Sequence, residues 1–444
     1  MRRISLNLLL LALCGLVFSS CKKEGVRPNI ILIMADDMGY ECLGCNGSTE
    51  YQTPNIDRLA SEGVKFTHCI SQPLCTPSRV KIMTGKYNYR NYCDFGYLDV
   101  NEKTFGNYLK EAGYKTAIAG KWQLNGLETK RPGNQDRMRP QHFGFDEYCL
   151  WQLTHRRHDG ERYASPLIEQ NGLKLRGTEQ KYGPDIFADF VVDFIEKNTE
   201  NPFFVYYPMV LVHDPFVPTP DSESWKNPEL HYKNDTTYFA DMVSYTDKIV
   251  GRIQAALKKH KLTENTLVIF TGDNGTHWTI FSNTENGVIQ GGKGRMHNRG
   301  TRVPMVASWP AKGVNEKTFT DLIDFSDFLP TLLEAAGVEV PEDIDGRSFL
   351  NVLVGKKFQA KETVTVHYDH MRTRQTKKFM GRFVRTKDYK LYHDGRFFDL
   401  NYDPNEKHPL LDIELTPEET NVKMKLQSIQ DDAPEWPYST EEMK

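Results

Sequence analysis

Residues 73–85 place a cysteine where it could carry out chemistry. Cys75 is followed by Pro77 and Arg79. Because proline fixes its own φ and disfavours helical backbone at the preceding residue, we expect a helix to begin at Pro77, with Cys75 just before it. Arg79 then lies about one turn into the helix, whose N-terminus favours negative charge. The position suits an anionic nucleophile and an anionic substrate group, whereas Cys-x-Pro alone would fit a buried structural cysteine better.

The whole stretch resembles the signature of the type I, formylglycine-dependent sulfatases. That signature is Cys-x-Pro-Ser-Arg with Thr-Gly at its end, and the residues from Cys75 to Gly85 fit it. The resemblance implies an enzyme, a sulfuric ester hydrolase, in which a maturation enzyme oxidises Cys75 to the aldehyde formylglycine. It further implies that the hydrated aldehyde, held by Arg79, attacks sulfur and then expels sulfate by C–O cleavage. One difficult step is thereby divided into two easier ones.

An acidic pair follows the first predicted strand. The apolar run 30–34 is typical of a strand buried on both faces of a parallel sheet, and it leads into Asp36 and Asp37. Open α/β sheets bind ligands at the carboxyl ends of their strands, and adjacent carboxylates repel each other unless a cation joins them. On its own, Asp-Asp would fit a turn or a helix cap better than a metal site.

A second polar pair, Asp273 and Asn274, follows another predicted strand, residues 265–270. Asp-Asn-Gly alone indicates a turn. The resemblance implies that both pairs bind one Ca²⁺, for which oxygen ligands are suited. The implied ligands are Asp36, Asp37, the modified Cys75, Asp273 and Asn274.

Three basic residues match further motifs of the family. Lys121 follows the predicted strand 115–119, and Lys293 lies in Gln-Gly-Gly-Lys-Gly; both match lysines that hold the sulfate. His213 follows the aromatic strand 202–207 and matches the histidine that protonates the leaving alcohol. A pKa near the working pH would suit that general acid, although a lone histidine after a strand is more often structural.

The chain departs from the family pattern at two places near the implied site. Gln123 stands where the family usually has histidine, and glutamine can donate hydrogen bonds but cannot take up a proton near neutral pH. Asn-Arg-Gly at 298–300 replaces the usual Glu-Gly-Gly, so substrate choice could differ. Gln123, His277 and Arg299 are therefore candidate pocket residues. Residues 126–183, rich in His, Arg and aromatics, are predicted to be loops and short elements along one rim.

The first 21 residues are predicted to be an export signal. A basic start precedes an apolar core too short to span a bilayer, and small residues lead to Cys21. Cys21 resembles a bacterial lipoprotein processing site, so we expect a lipid anchor and a periplasmic or outer-membrane location, against a simple cleaved signal. With a net charge of -3 from 56 basic and 59 acidic residues, nothing indicates nucleic acid as a partner.

The remaining cysteines cannot form a complete disulfide framework. Setting aside Cys14 in the signal, Cys21 and Cys75 leaves an odd number, namely Cys42, Cys45, Cys69, Cys93 and Cys149. The pair at 42 and 45 could be half of a redox or zinc site, but no second pair has metal spacing. Packing thiols or a single disulfide are favoured.

The order of predicted elements indicates an α/β protein with two parts. Strands and helices alternate up to about residue 355, and four strand-like runs after it predict an antiparallel sheet followed by a last helix. The resemblance implies an alkaline-phosphatase-like sandwich, a large mixed sheet with helices on both faces, plus a smaller C-terminal antiparallel subdomain. The predicted division is 1–21 signal, 22–355 catalytic domain and 356–444 C-terminal subdomain.

The first functional prediction is hydrolysis of O-sulfate esters on a sulfated saccharide, with sulfated galactose or N-acetylgalactosamine as the substrate guess. Two alternatives stay open: a phosphate or phosphonate ester hydrolase of the same superfamily, and a glycan-binding lipoprotein without turnover, which only Gln123 supports. The expected partners are the saccharide and the maturation enzyme. The sulfated position, exo or endo action and the oligomeric state are left open.

Overall fold

The computed structural model describes residues 27–369 and 381–434. The predicted export signal with Cys21 lies outside these residues. Within the described ranges, no helix combines the length and the apolar character that crossing a membrane requires. The strands are β1 Asn29–Ala35, β2 Val64–Ile70, β3 Lys115–Lys121, β4 Glu147–Trp151, β5 Ile168–Gln170, β6 Leu173–Lys174, β7 Phe203–Pro208, β8 Thr266–Gly272, β9 Phe281–Thr284, β10 Gly287–Gln290, β11 Arg302–Ser308, β12 Lys317–Asp324, β13 Val364–Tyr368, β14 Gly381–Arg385, β15 Tyr389–Tyr392 and β16 Phe397–Asp399.

Ten of these strands form one mixed sheet, in the order β12-β2-β11-β8-β1-β7-β3-β4-β5-β6. β1 lies near the middle and pairs in parallel with β7 and β8. Its residues are all buried, because successive side chains enter the cores on opposite faces of the sheet. Ile31 and Ile33 join one core, while Leu32 and Met34 join the other. The continuous apolar run is therefore a consequence of burial on both faces.

Helices cover both faces of this sheet. α1, α6 and α7 contribute to one core, and α2, α4 and α9 contribute to the other. The predicted sandwich is confirmed. The helices are α1 Pro54–Ser61, α2 Cys75–Thr84, α3 Asn88–Asn91, α4 Phe105–Glu111, α5 Arg139–His142, α6 Gly183–Lys197, α7 Phe239–Lys259, α8 Asn298–Thr301, α9 Phe328–Ala335, α10 Leu350–Leu353 and α11 Pro417–Asp431.

The C-terminal part is an antiparallel sheet of four strands in the order β13-β14-β15-β16. One face packs against Ile70 and Leu322 of the large sheet, and the other face buries Leu426 of α11. The four predicted strands and the last helix are confirmed, although the predicted start of β14 lies outside the described residues. The small sheet is thus attached to the part of the large sheet formed by β2 and β12.

One prediction about local structure is wrong. α2 begins at Cys75, with Thr76 already helical and Pro77 inside the first turn. Proline is tolerated there because the first N–H groups of a helix have no partner within it. Residues 126–183 consist of loops and short elements as predicted, and three of these elements, β4, β5 and β6, form one edge of the large sheet.

Candidate active site

The topology brings the predicted site residues to one edge of the sheet. β8, β1, β7 and β3 are neighbours and run in parallel. Their carboxyl ends lead to Asp273, Asp36, His213 and Lys121, respectively. Because parallel strands all end at the same edge, residues distant in the chain meet there. Cys75, at the start of α2, faces the same place.

Cys75 is buried and its thiol donates a hydrogen bond to Gln123 Oε1 at 3.2 Å. Burial raises the pKa of the thiol, and the positive charge of Lys121 only partly opposes this. The raised pKa favours the thiol over the thiolate form of the unmodified cysteine. Gln123 adopts φ +53°, a left-handed conformation uncommon for residues other than glycine. It thus occupies the place of the usual histidine as a hydrogen-bond acceptor.

Three fully buried carboxylates, those of Asp36, Asp37 and Asp273, lie beside Cys75. The N–H of Asp37 donates to Asp273 Oδ1 at 2.9 Å, and Asn274 Nδ2 donates to Asp37 Oδ1 at 2.9 Å. Glycine at 272 allows this close approach, since a Cβ there would lie 2.1 Å from the carbonyl oxygen of Met38. Asp37 itself has φ +60°. Strained backbone of this kind is characteristic of functional sites.

The cluster has the donors that a hard cation needs. Asp273 Oδ2 and Asn274 Oδ1 are buried without a hydrogen-bond partner. Burial, reinforced by the nearby charge of Asp36, raises the pKa of Asp273 well above its ordinary value. Ligand atoms of Asp36, Cys75 and Asp273 lie within 4.8 Å of one another, as do those of Asp36, Asp37 and His213. Oxygen atoms left unsatisfied in this way fit a divalent cation.

Cations neutralise the rest of the cluster. Lys121 Nζ lies 2.8 Å from Asp36 Oδ2. Although burial alone would raise the pKa of Asp36, Lys121 and other cations hold it well below its ordinary value. The buried guanidinium of Arg79 donates to the carbonyl of Lys121, while its Nη2 has no hydrogen-bond partner and lies 3.9 Å from Asp273 Oδ2. Arg79 therefore keeps N–H groups on both Nε and Nη2 without a hydrogen-bond partner.

His213 and Lys293 form a pair on the other side of Asp37. Lys293 Nζ contacts Asp37 Oδ2 and lies 2.9 Å from His213 Nε2, and His213 Nδ1 lies 2.7 Å from the carbonyl oxygen of Asp214. Burial lowers the pKa of His213 to about 4. Burial also disfavours the charged form of Lys293, but Asp37 raises its pKa overall. These opposite shifts favour a proton on Lys293 and a neutral imidazole at His213, whose pKa lies below the value near neutrality expected from the sequence.

The other candidate pocket residues lie further out. His277 Nδ1 is 2.8 Å from Thr279 Oγ1, and its ring packs edge-on against Phe216 at 5.7 Å. Arg299 Nη1 donates to the carbonyl of Gln290 at 3.3 Å. The structure therefore groups Gln123 with Cys75, whereas His277 and Arg299 belong to the segment that follows the cluster.

The sequence reasoning missed the residues that hold the Lys293 loop. Lys390 Nζ, fully buried, donates to the carbonyl of Met296 at 2.7 Å. Glu406 Oε1 accepts from the N–H of Asn298 at 2.8 Å and from Lys390 Nζ at 3.0 Å. Arg385 Nη1 donates to Asn298 Oδ1 at 2.7 Å. No motif signals these contacts, because the partners lie about a hundred residues apart.

We expect Glu406→Gln to lower both stability and activity. Burial lowers the pKa of Lys390 to about 8, with Glu406 acting in the opposite direction, so the variant would leave a buried cation without its counter-charge. Losing one partner of a buried pair costs about 3–5 kcal/mol of the free energy of unfolding. Denaturant unfolding measures this loss of stability. A lower kcat/KM would show that the Lys293 loop is held less firmly. Glu414→Gln, on the exposed surface, is the matched control.

The double variant Lys390→Met/Glu406→Gln distinguishes charge pairing from loop shape. It removes the unpaired cation, so it should recover most of the free energy of unfolding. An unchanged stability of the single Glu406→Gln variant would contradict the account of this contact.

Comparison with known proteins gives two family matches that together span most of the described chain. Residues 28–338 match the model described as Sulfatase. Residues 291–432 match the model described as N-sulphoglucosamine sulphohydrolase, C-terminal. The first match alone covers more than half of the chain.

Individual relatives cover most of the chain as well. Arylsulfatase G of Mus musculus is 32% identical over 399 residues, which cover 76% of this chain and 71% of the relative. N-acetylgalactosamine-6-O-sulfatase of Bacteroides thetaiotaomicron is 28% identical and covers 89% of each chain. The crystal structure of Ps i-CgsB in complex with k-i-k-neocarrahexaose is 26% identical, covers 94% of this chain and 96% of that one, and has a TM-score of 0.75. These matches establish that the chain belongs to the sulfatase family and is a sulfuric ester hydrolase.

Proposed function

We propose that this sulfatase hydrolyses O-sulfate esters of carbohydrates, with formylglycine made from Cys75 and with Ca²⁺. The observation that carries the proposal is the position of Cys75 between an unsatisfied carboxylate cluster and the cations of Arg79, Lys121 and Lys293. Two relatives support the substrate class. One is named for N-acetylgalactosamine-6-O-sulfate hydrolysis, and the other is solved with a neocarrahexaose.

The charges at the site fit an anionic ester once a divalent cation is bound. Arg79 lies beside Asp273, Lys121 beside Asp36 and Lys293 beside Asp37, so each carboxylate of the cluster has a basic neighbour. When bound, Ca²⁺ supplies positive charge that attracts the sulfate oxygens and stabilises the charge that develops on them. We propose that Asp36, Asp37, Asp273 and Asn274 hold it.

The burial of Cys75 supports the need for modification. A thiol whose pKa is raised is a poor nucleophile, because the thiolate is the reactive form. The hydrated aldehyde supplies an oxygen nucleophile instead. Gln123 and Arg79 orient the residue at position 75 through their amide oxygen and free N–H group. Lys121 and Lys293, one beside Asp36 and one beside Asp37, hold sulfate oxygens from two sides.

His213 is proposed to deliver the proton to the leaving oxygen. We expect His213→Ala to slow sulfated sugars by about a hundred-fold or more, the usual scale of general acid catalysis. An aryl sulfate should be slowed far less, since a phenolate leaves without protonation. Steady-state kinetics with both substrate types measure the difference. Equal losses of rate on both substrate types would make His213 a binding residue. Lys293, whose Nζ lies 2.9 Å from His213 Nε2, would then be the candidate proton donor.

The runner-up is hydrolysis of phosphate or phosphonate esters, because the charge balance of the site also suits those anions. Matured protein loaded with Ca²⁺ should be assayed on monosulfated saccharides, p-nitrophenyl sulfate and p-nitrophenyl phosphate. The proposal expects sulfate release from at least one saccharide and a much lower kcat/KM for phosphate. Faster phosphate release would favour the runner-up. If the modified, metal-loaded protein turned over none of these substrates, the glycan-binding alternative would be favoured.

The exported, lipid-anchored location stays a proposal that rests on residues 1–21 of the sequence. It agrees with the proposed substrate class, since large sulfated glycans do not cross a membrane unaided. The choice of galactose or N-acetylgalactosamine likewise stays a proposal, which the saccharide panel decides.

A further inference from the structure

We infer that the hairpin of β9 and β10 binds an uncharged sugar residue adjacent to the sulfated one. The inference rests on the proposed function and adds a second subsite to it. We call the surface the hairpin platform. It consists of Trp278, Phe281, Asn283, Val288 and Gln290.

The hairpin is joined at both ends to the candidate active site. It lies in the chain between Asn274, in the carboxylate cluster, and Lys293. Its base is closed by two backbone hydrogen bonds, from the N–H of Lys293 to the carbonyl of Thr276 and from the N–H of Gly291 to the carbonyl of Ile280, both 2.9 Å. The hairpin is therefore attached directly to the segments that carry the site residues.

The alternation of side chains decides which face is outside. Ser282 is buried, and its hydroxyl lies 3.0 Å from the hydroxyl of Tyr51. Because Ile289 is directly opposite Ser282 on the other strand, Ser282 and Ile289 both point inward. Their neighbours along each strand must point outward. Phe281 is opposite Gln290, and Val288 is opposite Asn283. Phe281 and Val288 are 58% and 66% exposed.

The backbone of Trp278 is held beside this face. Its carbonyl accepts a hydrogen bond from Gln290 Nε2 at 2.9 Å, and its ring centroid lies 5.4 Å from that of His277. His277 in turn packs against Phe216, three residues beyond His213. Even so, the Trp278 side chain is 58% exposed. With its backbone held and its ring exposed, Trp278 can stack on a ligand at a limited cost in ordering.

The chemistry of the platform favours a neutral sugar. Exposed apolar surface next to a functional site marks a ligand-binding surface, and aromatic faces with adjacent amides suit a ring that has both C–H and hydroxyl groups. Residues 281–290 contain Glu285 and no lysine or arginine. Glu50 accepts hydrogen bonds from the N–H and Nδ2 of Asn283, at 2.9 and 3.1 Å. Arg299, at the base, is turned to the carbonyl of Gln290. The negative charge of Glu285 and Glu50 disfavours both a second sulfate group and an anionic membrane as the ligand.

The test compares substrates of different length. Trp278→Ala is assayed in the matured full chain on a monosulfated monosaccharide and on the same sugar linked to one neutral residue. We expect KM for the disaccharide to rise about tenfold, with kcat/KM for the monosaccharide unchanged within about twofold. Trp278→Phe should recover part of the loss. Tyr402→Ala removes an aromatic side chain that is 85% exposed in the C-terminal part, so it is the matched control.

Three results would overturn the inference. Equal losses on both substrates would make Trp278 part of the catalytic pocket, and no loss on either would leave the platform without a ligand. Binding to anionic vesicles, or dimer formation, that disappears in Trp278→Ala would assign the surface to another partner.

Failure of the proposed function is distinguishable from failure of this inference. If no saccharide is hydrolysed, saturation-transfer NMR with neutral disaccharides such as lactose still tests the platform directly. Binding that is lost in Trp278→Ala supports the subsite, whereas absence of binding to the parent protein overturns it.

Discussion

The Cys75→Ala variant is expected to fold like the parent protein and to release no sulfate from any substrate. The change removes one sulfur atom and its hydrogen bond to Gln123, which costs about 1 kcal/mol of the free energy of unfolding. It also removes the thiol that the maturation enzyme would oxidise, so the Cβ of position 75 can no longer be converted to an aldehyde. Circular dichroism and thermal unfolding measure the fold, and ion chromatography of free sulfate measures turnover.

A matched cysteine substitution separates chemistry from packing. Cys149 is buried in the core of the large sheet, away from the carboxylate cluster. Cys149→Ala should lower the free energy of unfolding but keep the kcat of the folded enzyme. Residual sulfate release by Cys75→Ala at a tenth of the parent rate or more would contradict the assigned role of Cys75.

The second large effect concerns the metal. Asp273→Asn should abolish turnover and the stabilisation that Ca²⁺ gives to the parent protein. A ligand present at a hundred times its Kd stabilises the folded state by about 2.7 kcal/mol, and the variant should gain little of this. In chelator, however, the variant should be at least as stable as the parent. Burial and the nearby Asp36 raise the pKa of Asp273, so its removal relieves repulsion.

Thermal unfolding with Ca²⁺ and with EDTA, together with elemental analysis, measures these effects. Asp221→Asn, at an exposed pair with Lys248, should keep the Ca²⁺ response and is the control. Full activity of chelated parent protein without bound metal would contradict the metal assignment, as would an undiminished Ca²⁺ response of Asp273→Asn.

The sequence predicts best where one physical cause acts locally. The run 30–34 is apolar because β1 is buried on both faces, and the acidic pair after it follows from the position of strand ends in an α/β sheet. The start of α2 was mispredicted because proline restricts the preceding residue in general but is tolerated within a first turn. Such local exceptions depend on what surrounds the helix end.

Properties that depend on three-dimensional surroundings could not be predicted. The pKa of His213 falls because the fold buries it, and its contact with Lys293 joins residues 80 positions apart. Glu406 reaches Asn298 across 108 positions. The outward face of the hairpin became recognisable only from the pairing of Ser282 with Ile289. Composition and periodicity do not predict these contacts.

The measurement that tests the central claim most directly is the mass of the peptide that contains Cys75, determined on active protein. If position 75 is formylglycine, the peptide is lighter by about 18 Da than the cysteine form, and the modified fraction rises in proportion to specific activity across preparations. Fully active protein in which Cys75 remains an unmodified thiol would contradict the account.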